Sequence, residues 1–360
     1  MNRRPSQSRT GFDSFSPQHT AHFKAAQPGG EFFEPKPRAS LGRRLLLALL
    51  LMTLIALAVN LAVNQFARVA RVTVPIRRMD PAFEGYTLLQ ISDLKGATYG
   101  SNQALIRFAL QNEDFDVVFT GDMVSSRGNA QPLYALIEML RELKPDAPIY
   151  MIPGDKDPLP ASMSYATGGS PFAPWVLGAK QRDGHTLWLT TSALLSLDMD
   201  TMQAQFERQY LDALADGDEN AIELTTYNLQ WLTETRNARA KMTDADVYIA
   251  LTHVPPADEE LESAYPGSLR ERVHLVLCGH YQGGLIRLPF AGALFIPSQN
   301  LPLYGLLPGA DTYFGLTRKG RTYLYVSPGL GGNDGLYPLP FFRLFNPPTV
   351  SLISLTTSSL

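Results

Sequence analysis

Three aspartates and two histidines, Asp93, Asp122, Asp155, His253 and His280, each stand just past a short apolar run. Side chains placed where a buried strand ends and the backbone turns can converge on one point. Carboxylate oxygens and imidazole nitrogens together form a donor set suited to first-row divalent metals such as Mn, Fe or Zn. One aspartate after a strand is ordinarily a turn or helix-cap residue. Five such positions in this order are not accounted for that way.

The segments around these residues are ISDLK, FTGDMV, IPGDKD, LTHVP and CGHYQGG. In order and context they resemble the five motifs of the calcineurin-like metallophosphoesterases, whose usual forms are D-x-H, G-D, G-N-H-[DE], a lone His and G-H-x-H. The later segments GGLIRLP, LPLYG and YLYVSPGLGG are similar to the bacterial membrane-associated branch of that family. The resemblance covers about Val72 to Leu355. It implies a four-layer αββα sandwich with metals at one edge of the sheets, and hydrolysis of phosphate mono- or diesters as the ancestral reaction.

The departures from those motifs are as informative. One family metal is held by the two residues of D-x-H, the bridging Asp and the last His. Those positions carry Asp93, Lys95, Asp122 and Gln282 here, so two imidazoles are absent. The other metal's positions carry Asp122, Asp155, His253 and His280, a serviceable ligand set. The family's catalytic His is Lys156. Two unit charges ~4 Å apart at an effective dielectric near 20 interact by ~4 kcal/mol, and a lysine repels a divalent ion about twice as strongly. A protonated Lys95 therefore excludes the first metal, and its ammonium stands in against Asp93 and Asp122. Two functional readings follow. Either at most one divalent metal (Mn, Fe or Zn) remains and Lys95 and Lys156 contact phosphate oxygens, or the cluster is a metal-free relic and the domain is a pseudoenzyme serving as a membrane binding or scaffold module.

The elements that position these residues read as an α/β chain. Strands are expected at Tyr86–Ile91, Asp116–Thr120, Ile149–Ile152, Val247–Leu251 and Val273–Leu277, with helices at Asn102–Gln111 and Pro132–Leu143. Acidic residues at the carboxyl ends of successive strands lie where open α/β sheets bind ligands. A hairpin is expected around Asp183-Gly184, and a helix containing Trp231 and Leu232. His185 and His274 read as ordinary polar positions, and Cys278 as a small buried residue. Gly329, Gly331 and Gly332 form no nucleotide-binding fingerprint, because no helix follows them.

Residues 1–44 are rich in Pro, Ser, Gln and Arg without apolar periodicity and read as a disordered tail. The run from Leu45 to Val63 is nearly all apolar, close to the ~20 residues that cross a bilayer as a helix. A buried core helix, a cleaved signal peptide and a single-pass anchor over residues 45–66 compete; a core helix would have nothing to pack on beside the tail, and the long leader and the continued apolar run count against cleavage, which favours the anchor. The basic tail then points to a cytoplasmic N-terminus and a phosphoesterase-like domain, residues 72–357, outside the membrane. A lipid or envelope phosphoester is the substrate that such a location suggests. The net charge of −3 gives no basic footprint for nucleic acid, and a single cysteine excludes an intrachain disulfide framework.

Overall fold

The computed structural model describes residues 40–157, 176–262, 272–288, 292–296, 305–309, 313–332 and 343–357. The tail expected over residues 1–44 lies outside them up to residue 39. Trp175 and most of the LPLYG segment lie outside them too. Helix α1 (Leu41–Val63) begins inside that expected tail. It is long and apolar enough to cross a membrane, a property that a signal sequence shares. The chain divides within this helix into two compact units, the second of which is Ala56–Leu360.

The second unit holds two large sheets among the described residues. In the first, β1 (Arg68–Pro75), β13 (Thr349–Thr356), β2 (Thr87–Ile91), β3 (Asp116–Thr120) and β4 (Ile149–Ile152) lie side by side in that order. Strands β2, β3 and β4 are parallel, while β13 runs antiparallel to β2 and parallel to β1. The second sheet has the order β11 (Gly315–Lys319), β12 (Thr322–Val326), β8 (Leu275–Cys278), β7 (Val247–Leu251), β6 (His185–Thr191) and β5 (Val176–Arg182). Here β12, β8, β7 and β6 are parallel. The hairpin between β5 and β6 turns at Asp183 (φ 50°) and Gly184 (φ 84°), the positive-φ pair that a two-residue turn requires.

The period-two alternation of each strand sorts the core into layers. Leu88, Val118, Ile152 and Ile353 of the first sheet face Leu187, Ile249, Leu275 and Leu277 of the second, forming the layer between the sheets. Their neighbours Leu89, Ile91, Val117 and Phe119 face outward, against Ile106 and Leu110 of α2 (Ala104–Leu110) and Leu133, Leu136 and Leu140 of α3 (Gln131–Leu143). On the far side, Trp188, Tyr248, Ala250 and Val276 pack with Met199 of α4 (Met199–Asp216) and Leu232 of α5 (Glu219–Lys241). Each fully buried Leu or Ile is worth about 1.5–3 kcal/mol. The result is the expected αββα sandwich.

One polar group ties the two sheets inside this apolar layer. The Gln90 amide, fully buried on β2, donates to Thr120 Oγ1 (2.9 Å) and across to the Cys278 carbonyl (2.9 Å). It fixes the carboxyl ends of β2, β3 and β8 against one another.

Candidate metal centre

Asp93, Asp122 and Asp155 follow β2, β3 and β4, and His253 and His280 follow β7 and β8. The two sheets present all five carboxyl ends at one edge. Five positions there, Asp93, Lys95, Asp122, His280 and Gln282, have φ between 49° and 69°, a left-handed backbone that non-glycine residues rarely adopt. Backbone hydrogen bonds hold these kinks: Asp93 N–H donates to the Gly121 carbonyl (2.9 Å), Lys95 N–H to that of Asp122 (3.0 Å) and Gly331 N–H to that of Asp93 (2.6 Å). The approach is close enough that a Cβ on Gly279 would overlap the Ser92 hydroxyl, and one on Gly154 the Asp122 backbone.

The imidazole of His253 is 6% exposed, and its Nδ1 lies 2.8 Å from the Thr120 carbonyl. A carbonyl only accepts, so Nδ1 carries a proton and Nε2 faces the cleft. That Nε2 is 3.2 Å from His280 Nδ1 and 3.6 Å from Asp122 Oδ1. Asp155 Oδ2 is 3.3 Å from the same His280 Nδ1. Donors bound tetrahedrally at about 2.0–2.1 Å to one Zn-sized ion lie about 3.3–3.4 Å apart. Donor atoms fall into two overlapping triads, Asp155, His253 and His280, and Asp93, Asp122 and His253, whose atoms lie within 4.8 Å of one another; His253 belongs to both, and the chemistry of either set fits a divalent cation.

Lys95 fills the other side of Asp122. Its ammonium is 2.9 Å from Asp122 Oδ2 and 4.0 Å from Asp93 Oδ1, with 13% of the side chain exposed. Asp93 is fully buried; its Oδ2 accepts from Ser92 Oγ and from His280 N–H (3.0 Å). Asp93 Oδ1 has no hydrogen-bond partner among the described residues. Burial by itself would raise the Asp122 carboxyl; the charges of Lys95 and His253, with hydrogen bonds from Lys95 and from Lys156 N–H, outweigh it and hold Asp122 below the usual carboxylate range. Burial, followed by the facing His253, lowers His280, which keeps it in the neutral, donor form.

The structure thus brings Asp93, Lys95, Asp122, Asp155, His253 and His280 into one cluster. The Lys156 side chain is exposed at the rim, while its backbone N–H donates to Asp122 Oδ1 (3.0 Å). Gln282 is buried, and its Oε1 also lacks a partner among the described residues. Two residues at this edge escaped the sequence reading. Asp157 accepts from Val124 N–H (2.8 Å) and Gly154 N–H (2.9 Å), and so pins the β4 loop beneath Asp155. Burial raises its carboxyl above the ordinary range. It occupies the acidic fourth place of the third motif, a signal the sequence did carry. Arg343, 1% exposed, donates to the carbonyls of Gln282 (3.0 Å), Pro328 (2.7 Å), Gly331 and Asn346 (2.7 Å). Burial pushes its guanidinium down to about 10. An isolated arginine in a proline-rich tail offers no signal of that role.

Comparisons with known proteins bear on the family of the chain. A family model described as calcineurin-like phosphoesterase matches residues 86–282. A curated protein from Bacillus subtilis (strain 168), the uncharacterized metallophosphoesterase YkuE, is 26% identical over 69% of this chain and 73% of its own length. Among solved structures, the phosphopantetheinyl hydrolase PptH of Mycobacterium tuberculosis aligns over 69% of this chain and 91% of its own, at 12% identity and a TM-score of 0.34. A putative 5'-nucleotidase of Staphylococcus aureus aligns over 76% and 55%, at 10% identity and a TM-score of 0.33.

Proposed function

The chain belongs to the calcineurin-like phosphoesterase family, and on that premise we propose that it is a membrane-anchored phosphoester hydrolase working with one divalent cation, its domain outside the membrane. Asp122, Asp155, His253 and His280 would hold the ion. The observation that carries this reading is the placement of His253, whose Nδ1 meets the Thr120 carbonyl and whose Nε2 is set 3.2 Å from His280 Nδ1 and 3.6 Å from Asp122 Oδ1. A bound Mn, Fe or Zn ion supplies Lewis acidity and a water of lowered pKa.

The chain's own groups then have separate tasks. Lys95 keeps Asp122 ionised and neutralises the pocket's other half, where the family's second metal stands. Lys156, held at the rim through its N–H bond to Asp122, places an exposed cation where phosphate oxygens enter. Asp157 fixes the loop that carries both Asp155 and Lys156.

A second reading, a catalytically inactive binding or scaffold module at the membrane, draws support from the Lys95–Asp122 pair at 2.9 Å, which neutralises a ligand carboxylate without any metal. One experiment separates the two. The full chain is purified in detergent without chelator, beside His253→Ala, and assayed for metal content and for turnover of bis-p-nitrophenyl phosphate. Roughly one ion per chain, lost in the variant together with turnover, is the expected outcome for a structural donor set of this kind. No bound ion after incubation with excess Mn or Zn removes the hydrolase reading and leaves the binding module.

A further inference from the structure

We infer that the sheet edge carrying the metal centre rests on the bilayer, and that the substrate is the phosphoester of a membrane lipid; this rests on the hydrolase reading above.

Topology is the first argument. Strand β1 is antiparallel to β2 by way of β13, so β1 begins at the edge where β2 ends. Arg68 pairs with Thr349 and donates its N–H to the Pro348 carbonyl (2.8 Å). Thr349 N–H in turn donates to the Gly329 carbonyl (2.9 Å), and Gly329 lies against Asp93. The apolar helix α1 ends at Val63, just before β1. The chain therefore leaves the helix at the site's own edge.

Side chains make the same connection. Asn60 and Asn64, in and just after the last turn of α1, both donate to the Arg343 carbonyl (2.7 and 2.6 Å), and Asn60 Oδ1 accepts from Phe345 N–H (2.7 Å). Arg343 is the residue whose guanidinium holds the Gln282 and Gly331 loops. Asn60 is thus a buried polar residue near the end of a mostly apolar helix. Its partners lie in the loops that frame the cleft.

The surface around those loops is apolar and exposed. Phe66, Val254, Leu306, Leu307, Phe314 and Phe345 have 36–62% of their area in solvent. They belong to contiguous elements: Leu344 bridges to Ile286 at the start of β9 (Ile286–Leu288), β9 pairs with β10 (Gly292–Phe295), Leu307 N–H donates to the Leu294 carbonyl, and Arg287 stacks over Phe314. Val254 adjoins His253. Exposed apolar side chains of this kind, with the exposed Arg68 at the start of β1, are suited to the acyl–headgroup boundary. A soluble substrate has no use for them. In the reaction, water oxygen bonds to the lipid phosphorus, one P–O ester bond breaks, and the departing alkoxide takes a proton from that water.

The test uses the full chain in proteoliposomes of phosphatidylethanolamine and phosphatidylglycerol. Leu307→Cys and Gln181→Cys are labelled with an environment-sensitive fluorophore, the native Cys278 being fully buried, and acyl-brominated lipid is added as quencher. Gln181 is exposed near the hairpin at the opposite edge. Quenching at 307 and not at 181 is expected; equal quenching, or none, overturns the inference. Leu307→Asp should lower turnover of vesicle lipid by roughly tenfold through weaker interfacial contact, with bis-p-nitrophenyl phosphate turnover unchanged. Turnover of the soluble diester without any turnover of lipid sinks the substrate claim and spares the hydrolase reading. No turnover of either sinks both.

Discussion

At the scale of single residues, Lys95 sets the charge balance of the cluster. Its ammonium sits 2.9 Å from Asp122 and 4.0 Å from Asp93, where it balances two buried carboxylates. Removing one partner of a buried pair leaves an uncompensated charge and costs about 3–5 kcal/mol. Lys95→Ala should lose roughly 3 kcal/mol of stability in chelator, and should also vacate a pocket lined by Asp93 and Asp122. Added Mn²⁺ is expected to raise the melting temperature of Lys95→Ala more than that of the parent chain. An equal rise in both would show that the lysine does not occupy a cation position. The sequence disclosed this competition, because a lysine at a ligand position is legible from its charge alone. It carried a motif position for Asp157 but not its backbone partners, and it offered no signal for Arg343, whose role depends on carbonyls that only folding brings near it.

At the scale of elements, the amino ends of β7 and β8 are pinned by His274. Its Nδ1 accepts from Tyr248 N–H (3.2 Å), its ring stacks on Tyr248, and its N–H donates to the Tyr248 carbonyl (2.9 Å). Burial lowers its imidazole to about 4, and protonation would convert that acceptor into a donor. The unfolded chain therefore binds the proton first as pH falls. Stability from this residue is complete above the unfolded value near 6.5, declines between about 6.5 and about 4, and then levels off. With the ring partly exposed, the loss should be about 2 kcal/mol. Urea midpoints for the parent chain and for His274→Asn should converge as pH is lowered through this window; parallel curves would remove the assignment. Legibility differed by element for physical reasons. Strands Asp116–Thr120, Ile149–Ile152 and Val247–Leu251 are apolar runs buried in full or nearly so, and they appear where the sequence placed them. Strand β1 begins at Arg68, ahead of the domain start expected at Val72, because its first residues, exposed Arg68 and Arg71 with half-buried Val69 and Ala70, lie at the sheet's margin and give no apolar run. Helix α4 was missed outright, since its sequence is mostly polar and its boundaries rest on the Asp198 cap and Gly217.

At the scale of the whole molecule, the candidate ion would bridge two sheets. Asp122 and Asp155 follow strands of one, His253 and His280 strands of the other. A ligand that binds only the folded state stabilises by mass action, about 2.7 kcal/mol at a hundred times its dissociation constant. Chelation should therefore lower the melting temperature of the entire domain in one transition, and His253→Ala should be insensitive to chelator. A chelator effect confined to a local probe near β4, with the global transition unmoved, would place the ion on one sheet only. Gln90, the Tyr325–Ser351 hydrogen bond and the apolar layer between the sheets link them without metal, so the apo domain is expected to remain folded.

The left-handed turns at Lys95 and Gln282 carry a consequence for redesign of such a site. Backbone of this kind is costly for any side chain with a Cβ, yet it stands at two positions where the imidazoles usual in the family are absent. At Lys95 the turn is held by the main chain itself, its N–H donating to the Asp122 carbonyl. A designer wishing to install a second ion, or a different one, inherits the geometry ready-made and needs to replace only side chains.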